Sequence, residues 1–432
     1  MSTPHSIADV AVLGLGRVGL PLALSFADRG LGVVGIDNDP ARLEAIGEGR
    51  MPFAETGAQE LLERVGAGGR LRLSERVVDA AGARHIVITL GTPSFSHIEI
   101  DMREIRSALD DLLGVLARGH SLILRSTIAP GTTDFAAGYL AKHRDFRVGE
   151  DVFVAHAPER IAAGRFLEEI DTLPCIIGGV GARSGEIVGE LFSVFGAPIV
   201  QTTPVQAELA KIWTNILRYT HFALPNLLMM DCERLSANVF DVIDLINRDY
   251  PRGGIAQPGL TAGSCLRKDF AFSEERSAAP GMLLAVSRVN ESVPLFLLEG
   301  LKRRLGTIAN RKVAVLGLAF KADTDDERDS LAHKLIRLLE RELADVAVCD
   351  PHAHSPTQPF EQTVQGADVV IMATNHSEFE GPGVLAEIVS RTAADCLLVD
   401  PWNALGTGQV FLFVAESAML ISEAAAGASE TT

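Results

Sequence analysis

The sequence predicts an α/β protein with two Rossmann-like, doubly wound parallel-sheet domains joined by a central helical segment. Three observations carry this reading. The hexapeptide V-A-V-L-G-L occurs twice, at residues 10–15 and 313–318, and each copy is a continuous apolar run entering a glycine turn, as a buried parallel strand does. Both copies are followed by a helical stretch and a second apolar run that ends in an acid, L-G-V-V-G-I-D at Asp37 and D-V-A-V-C-D at Asp350, so each opens a β-α-β unit. Between the two halves, over about residues 204–305, the pattern is helical rather than alternating.

Taken in order, the first repeat supplies a strand, a Gly turn, the apolar helix L-P-L-A-L-S-F-A and a second strand ending at Asp37. Further strands follow in H-I-V-I-T-L-G-T-P (residues 85–93) and S-L-I-L-R-S-T (121–127), matched in the second half by D-V-V-I-M-A-T-N (368–375) and D-C-L-L-V-D-P-W (395–402). Strands alternating with helical patterns at this spacing indicate doubly wound parallel sheets. The first central helix is expected over residues 205–233, bent near Pro225, where a backbone donor is lost. The expected division is 1–203, 204–305, 306–416 and an Ala/Ser/Glu-rich tail, 417–432, that frays.

The chain has 432 residues, room for two to three domains with their own cores. Lys and Arg total 39 against 56 Asp and Glu, a formal net charge of −17, which gives no long-range attraction to nucleic acid or anionic lipid. Small molecules and other protein surfaces are the expected partners. The N-terminus carries no Lys or Arg ahead of an apolar stretch, and no run of about 18 uncharged apolar residues occurs, so neither export nor a membrane span is expected. Cys175, Cys232, Cys265, Cys349 and Cys396 show no C-x-x-C or Cys/His ligand spacing, the pattern of a cytoplasmic protein with reduced thiols and no metal.

Gly14-Leu15-Gly16-Arg17-Val18-Gly19 matches G-x-G-x-x-G, follows a strand, opens a helix and precedes Asp37 at the next strand end. In that context Gly14 makes the tight turn, Gly16 lets the backbone approach a pyrophosphate, and Gly19 lets helix and strand pack closely. The free N–H groups of the helix start stabilise the phosphate charge. Asp37 accepts from a ribose 2′-OH and repels a 2′-phosphate, which selects NAD over NADP. The competing reading is three packing glycines and a capping Asp. The second repeat reads Gly317-Leu318-Ala319-Phe320-Lys321 and has lost the third glycine. Lys321 beside the loop A-D-T-D-D-E-R-D-S suits one phosphate-bearing ligand, unless Lys321 and Arg328 only neutralise that acidic loop.

In the central helix Glu208, Lys211 and Asn215 share one face, beside an apolar stripe of Ile212, Trp213, Ile216 and Leu217. Such a trio is more often a solvated face. Downstream, the loop P-G-L-T-A-G-S-C-L-R-K-D delivers Cys265 with Arg267, Lys268 and Asp269. Neighbouring cations favour the reactive thiolate, and Asp269 can hold a water or a proton. The plainer alternative is a small buried hydrophobe.

Together these motifs resemble the UDP-glucose/GDP-mannose dehydrogenase family over about residues 7–414: G-L-G-R-V-G at Gly14, T-P at Thr92, S-T-I-A-P-G-T at Ser126, A-P-E-R at Ala157, E-L-A-K-I-W-T-N at Glu208, G-S-C-L-R-K-D at Gly263 and G-L-A-F-K-A-D-T-D-D-E-R-D-S at Gly317. The resemblance implies an N-terminal NAD domain, a central dimerisation segment, a C-terminal domain for the nucleotide of the substrate, and a homodimer. It implies four-electron oxidation of a nucleotide sugar at C6 through a cysteine thiohemiacetal and thioester. By position, Cys265 is the implied nucleophile, Lys211 and Asn215 stabilise oxyanions, Asp269 with Thr127 orients water, and Glu159 is the acid/base carboxylate. Glu159, Arg160, Lys211, Asn215, Arg252 and Lys321 are implied substrate contacts. Gly14, Gly16, Arg17, Val18, Gly19, Asp37, Thr92 and Arg328 are implied cofactor contacts, by motif or by resemblance.

Where UDP-glucose enzymes read P-E-F-L-x-E-G, this chain has P-E-R-I-A-A-G, with Ala163 in place of a second carboxylate. That form, with R-D-Y-P-R-G-G-I around Arg252, resembles the branch that oxidises UDP-N-acetylmannosamine or UDP-N-acetylglucosamine. The alternatives are a UDP-glucose or GDP-mannose 6-dehydrogenase, a two-electron hydroxyacid or sugar-phosphate dehydrogenase, and a catalytically silent nucleotide-binding regulatory protein.

Overall fold

The computed structural model describes residues 8–91, 103–261, 263, 266, 269 and 281–417, which divide into two compact units, the first ending at Asn215 and the second starting at Ile216. In the first unit eight strands form one sheet: β1 (Val10–Leu13), β2 (Val33–Ile36), β3 (Leu71–Ser74), β4 (His85–Ile88), β5 (Ser121–Leu124), β6 (Phe153–His156), β7 (Cys175–Gly179) and β8 (Ile199–Thr202). Their spatial order is β3-β2-β1-β4-β5-β6-β7-β8, and every neighbouring pair is parallel except β6–β7. Because β1 pairs with β2 on one side and β4 on the other, the chain reverses its winding there and opens a crevice at the carboxyl ends of β1 and β4.

The four residues of β1, β2, β4 and β5 are all buried, as expected when helices cover both faces. Alternate residues of β1 serve different cores. Val10 and Val12 pack with Leu20, Leu24, Phe26 and Phe192, whereas Ala11 and Leu13 pack with Ile105, Leu109 and Ile86. Removing each large apolar side chain from water contributes roughly 1.5–3 kcal/mol. The helix Gly19–Asp28 ends at Gly30 (φ +95°), with Gly30 N–H on the Ala27 carbonyl and Leu31 N–H on the Phe26 carbonyl. This left-handed cap needs no Cβ and closes the last turn.

The second unit repeats the plan with β9 (Lys312–Leu316), β10 (Asp345–Cys349), β11 (Val369–Met372), β12 (Leu397–Val399) and β13 (Phe411–Phe413), in the order β10-β9-β11-β12-β13 with only β12–β13 antiparallel. Val313 and Val315 face Leu297, Leu301 and Leu335 on one side of this sheet, and Ala314 and Leu316 face Leu385 and Ile388 on the other. The predicted central helix runs Pro204–Leu235 and is continuous through Pro225, which leaves the carbonyl four residues earlier without its helical donor. Among the described residues no helix is long and apolar enough to cross a membrane.

Candidate active site

In the first unit the glycine motif has the geometry its residue types require. Gly14 has φ +94°, and a Cβ on Gly19 lies 1.8 Å from the Gly14 carbonyl oxygen and 2.4 Å from Thr89 Oγ1, so only glycine fits. A Cβ on Gly16 meets nothing within 4 Å, which leaves that backbone open to a ligand. The Thr89 hydroxyl, at the end of β4, fixes the turn from below by reaching the Leu13 and Gly14 carbonyls at 2.9 and 2.6 Å. Arg17, just before the helix, stacks over Phe53 at 5.2 Å.

Asp37 is buried at the end of β2. Its Oδ2 accepts from Leu15 N–H at 2.6 Å and its Oδ1 from Asp39 N–H at 2.9 Å. Arg42 lays one guanidinium nitrogen 2.9 Å from both oxygens. Arg42 is a partner of Asp37 that sequence reading missed. The signal was present, a cation five residues after the acid, but only the helix turn after Asp39 brings it back. These residues suit a dinucleotide: a Gly16 with open space in its Cβ direction, and an acid at the end of β2. Thr92 lies outside the described residues.

The trio on the central helix is not a solvated face. Glu208 is 0% exposed and Asn215 6%, while Lys211 is half-buried. Glu208 accepts from Gly131 N–H (2.7 Å), Thr133 N–H (2.8 Å) and the Thr133 hydroxyl (2.6 Å), at the start of the helix Thr132–Arg144. It thereby ties the Lys211 segment to the S-T-I-A-P-G-T loop that carries half-buried Thr127. Burial pushes the Glu208 carboxyl above its ordinary range, against the pull of these donors.

Glu159 follows β6 and is held by three donors. Arg125, itself 4% exposed, gives one guanidinium N–H to Glu159 Oε2 at 2.5 Å and another to the Ala157 carbonyl at 3.0 Å. Arg160 N–H and Ile161 N–H both donate to Glu159 Oε1, at 2.7 and 2.8 Å. The half-buried Arg160 side chain reaches the Pro174 carbonyl at 2.5 Å. Ala163 is exposed, and its neighbours' N–H groups at Ala162, Gly164 and Phe166 are taken up by Glu169 and Glu55. His156 at the end of β6 also went unread. Its Nδ1–H donates to the Leu124 carbonyl at 2.8 Å, and its fully buried Nε2 has no partner among the described residues. Burial, with the positive charges of Arg125 and Lys211, pushes its pKa down to about 3.

In the second unit Asp350 repeats Asp37. It accepts from Leu318 N–H at 2.6 Å and His352 N–H at 2.8 Å, the counterparts of Leu15 and Asp39. Gly317 has φ +99° and its Cβ direction meets the Thr374 side chain at 2.4 Å. Lys321 is half-buried. Arg328 is exposed and binds Asp326 through Nε and a terminal nitrogen, at 2.8 and 2.6 Å. Arg252 is exposed, its guanidinium on the Tyr250 hydroxyl at 3.0 and 2.8 Å.

Cys265, Arg267 and Lys268 lie outside the described residues, but the loop that leads to them is anchored. Asn226 Oδ1 accepts from Gly259 N–H at 2.8 Å, Asn226 Nδ2 donates to Asn290 Oδ1 at 2.9 Å, and Asn290 Nδ2 donates to the Tyr219 carbonyl at 3.1 Å. Gly263 (φ +105°) has Phe320 2.6 Å from its Cβ direction, and Asp269 is fully buried. The other four cysteines are buried or half-buried, and burial raises their thiols, to about 11 for Cys349 and about 12 for Cys396. They are poor nucleophiles.

Two Rossmann-like sheets, the first carrying a dinucleotide turn, and a central helix whose polar face is largely buried are the frame of a dinucleotide-dependent oxidoreductase. The chain belongs to the UDP-glucose/GDP-mannose dehydrogenase family: it matches the NAD binding domain over residues 8–196, the central domain over 205–292 and the UDP binding domain over 314–407. It is an NAD-dependent nucleotide-sugar dehydrogenase. A UDP-N-acetyl-D-mannosamine dehydrogenase of Pyrococcus horikoshii is 33% identical over 92% of this chain and 96% of its own. The solved UDP-D-ManNAc dehydrogenase from that organism superposes with a TM-score of 0.85 at 32% identity, covering 93% of this chain and 97% of the other. A UDP-glucose dehydrogenase from Pyrobaculum islandicum gives 0.80 at 29% identity over 93% and 95%.

Proposed function

We propose that the enzyme oxidises the C6 alcohol of a UDP-N-acetylhexosamine, UDP-N-acetylmannosamine or UDP-N-acetylglucosamine, to the uronic acid. The observation that carries the sugar assignment is the A-P-E-R-I-A-A-G loop. Arg160 stands beside a tied-down Glu159, and exposed Ala163 offers no second carboxylate. The name of the Pyrococcus horikoshii relative supports it. The alternative, UDP-glucose, is favoured by the similar likeness to the Pyrobaculum islandicum enzyme.

Gly14, Gly16, Arg17, Val18, Gly19 and Asp37, with Thr92 and Arg328 as further ligands, would hold NAD, and two NAD bound in succession would supply the hydride acceptors for the two oxidations. The Cys265 thiolate adds to the aldehyde carbon to form a thiohemiacetal, and after the second oxidation the thioester is hydrolysed by water, which releases the thiolate and the carboxylate. Lys211 and Asn215 hold the oxyanion of each tetrahedral species, worth roughly 3–4 kcal/mol per donor in a dry site. Asp269 and Thr127 orient the water. Proton transfer at Glu159 requires substrate or water to displace one of its three donors. Lys321 and Arg252 contact the substrate. We assign the enzyme to the cytoplasm, where its thiols stay reduced. We keep 1–203, 204–305 and 306–416 as its functional divisions, and a homodimer built on the central helix.

The test is NADH formation with UDP-N-acetylmannosamine, UDP-N-acetylglucosamine, UDP-glucose and GDP-mannose. The N-acetyl sugars are expected to give the highest kcat/KM and two NADH per acid. Equal or better turnover of UDP-glucose reverses the sugar assignment. Undiminished acid formation by folded Cys265→Ala removes the thioester route.

A further inference from the structure

At the carboxyl ends of three neighbouring strands in the second unit, four side chains of metal-ligating type converge. Asp323 comes from the loop after β9, His352 from that after β10, and His376 and Glu378 from that after β11. One ligand atom from each lies within 4.8 Å of all the others. His352 Nε2 is 3.1 Å from Glu378 Oε1, and His376 Nδ1 is 4.0 Å from Asp323 Oδ1. A tetrahedral zinc ion with bonds near 2.0–2.1 Å sets its ligand atoms about 3.3 Å apart, so one edge is at that length already and the others need side-chain rotation of an ångström or so.

The surroundings are those of a ligand set rather than a chance cluster. His376 is fully buried and donates Nε2–H to Asp350 Oδ2 at 3.0 Å. That bond fixes the tautomer and leaves the Nδ1 lone pair facing the cluster, the carboxylate–histidine arrangement that supports metal-bound imidazoles. Asp323 Oδ1 is oriented by Ser377 N–H at 2.9 Å and the Ser377 hydroxyl at 2.8 Å. His352 Nε2 has the distance of an ion pair to Glu378 without the alignment of a hydrogen bond, so this buried atom has no hydrogen-bond partner among the described residues. Asp323 and Glu378 are exposed and provide an entry path. Among the described residues the bond that competes for the His376 Nδ1 lone pair is Asp323 N–H at 3.0 Å; a cation takes over that lone pair and the N–H turns to water.

We propose that Asp323, His352, His376 and Glu378 form a binding site for a divalent transition-metal cation of the zinc class, which clamps the three loops together. Two imidazoles and two carboxylates suit zinc, cobalt or nickel better than magnesium or calcium, which favour all-oxygen shells. Asp323 is two residues from Lys321, so the clamp also holds the loop that carries Lys321.

The experiment uses the full-length enzyme stripped with a chelator, titrated calorimetrically with Zn²⁺ and, separately, with Co²⁺ while its visible d–d bands are followed. One site per chain is expected, with micromolar or tighter affinity and tetrahedral cobalt bands. His352→Ala and the exposed, conservatively changed Glu378→Gln should each weaken binding at least about tenfold, whereas His354→Ala, whose ring pairs with Asp325, should leave it unchanged. Millimolar binding, or affinity and cobalt bands undiminished in folded His352→Ala and Glu378→Gln, overturns the proposal.

Discussion

Glu208→Ala tests whether one buried carboxylate holds the central helix to the loop of Thr127. The substitution leaves the Gly131 and Thr133 N–H groups without their acceptor, whereas the Thr133 hydroxyl can rotate to another. The buried Thr133 N–H left without a partner costs about 1–3 kcal/mol, the Gly131 N–H at an exposed residue turns to water at smaller cost, and the vacated methylene and carboxyl space adds about 1 kcal/mol. Relief of the desolvation that raises the Glu208 pKa offsets part of this. The expected net loss is about 2–3 kcal/mol, or a fall in Tm of about 4–12 °C for a unit of this size. Because the folded-state pKa is raised, wild-type Glu208 gains stability as pH falls from its folded value toward its unfolded value near 4.5. Glu208→Gln lacks that gain, so its deficit against wild type should widen on acidification through that window. A loop displaced by even an ångström should lower kcat by about a hundredfold while KM for NAD changes little. Urea denaturation and steady-state kinetics on both variants provide the assay. A loss below about 1 kcal/mol with unchanged kcat refutes the anchoring argument.

Three other outcomes follow from the same structure. Asp37→Ser removes the acid from Arg42, leaving a cation free to meet a 2′-phosphate; the NADP/NAD ratio of kcat/KM should rise at least about a hundredfold, equivalent to about 2.7 kcal/mol, and an unchanged ratio removes Asp37 and Arg42 from cofactor choice. His85, buried against the Ser121 hydroxyl, is pushed down to about 4 by burial and by Arg84, and His156 to about 3. Both stay neutral in the fold but protonate near 6.5 when unfolded, so their stabilisation is complete above that value and drains away as pH falls toward 4 and 3. Unfolding free energies from urea titrations at pH 7.5 and 5.5 should differ by about 2.7 kcal/mol from these two groups, a difference that shrinks in a His85→Gln, His156→Gln variant, and an unchanged difference contradicts the burial argument. The central helix carries Leu209, Trp213, Leu217, Leu224 and Leu227 at 39–55% exposure, a stripe suited to a second copy; light scattering should give a dimer that Trp213→Glu with Leu217→Glu dissociates, and a wild-type monomer at micromolar concentration rules this out.

Much of the fold was legible because its signals are local. Parallel strands buried on both faces read as unbroken apolar runs, so β1, β2, β4, β5, β9, β10, β11 and β12 could each be placed from residues such as Val10–Leu13 without knowing their neighbours. The Gly14–Gly19 turn was legible for the same reason, since a Cβ clash of 1.8 Å is a property of one tight turn. β13 could not be read as an antiparallel partner of β12, because hydrogen-bond direction is set by where the chain returns and not by F-L-F itself.

The site divides along the same line. By itself the sequence determined the residue types and their order: the glycines, Asp37, the trio on the central helix, and the motif set that identifies the family. Only the tertiary structure decided which polar groups are buried and what they hold. It turned Glu208 from one member of a plausible solvated face into a fully buried acceptor of three bonds, put Arg42 onto Asp37, Arg125 beneath Glu159, and Asn226 with Asn290 behind the loop to Cys265. Each of these partnerships joins segments whose spacing in the chain obeys no helical or strand period. Their strength comes from exclusion of water, which no residue confers on itself and which exists only once the layers have closed around it.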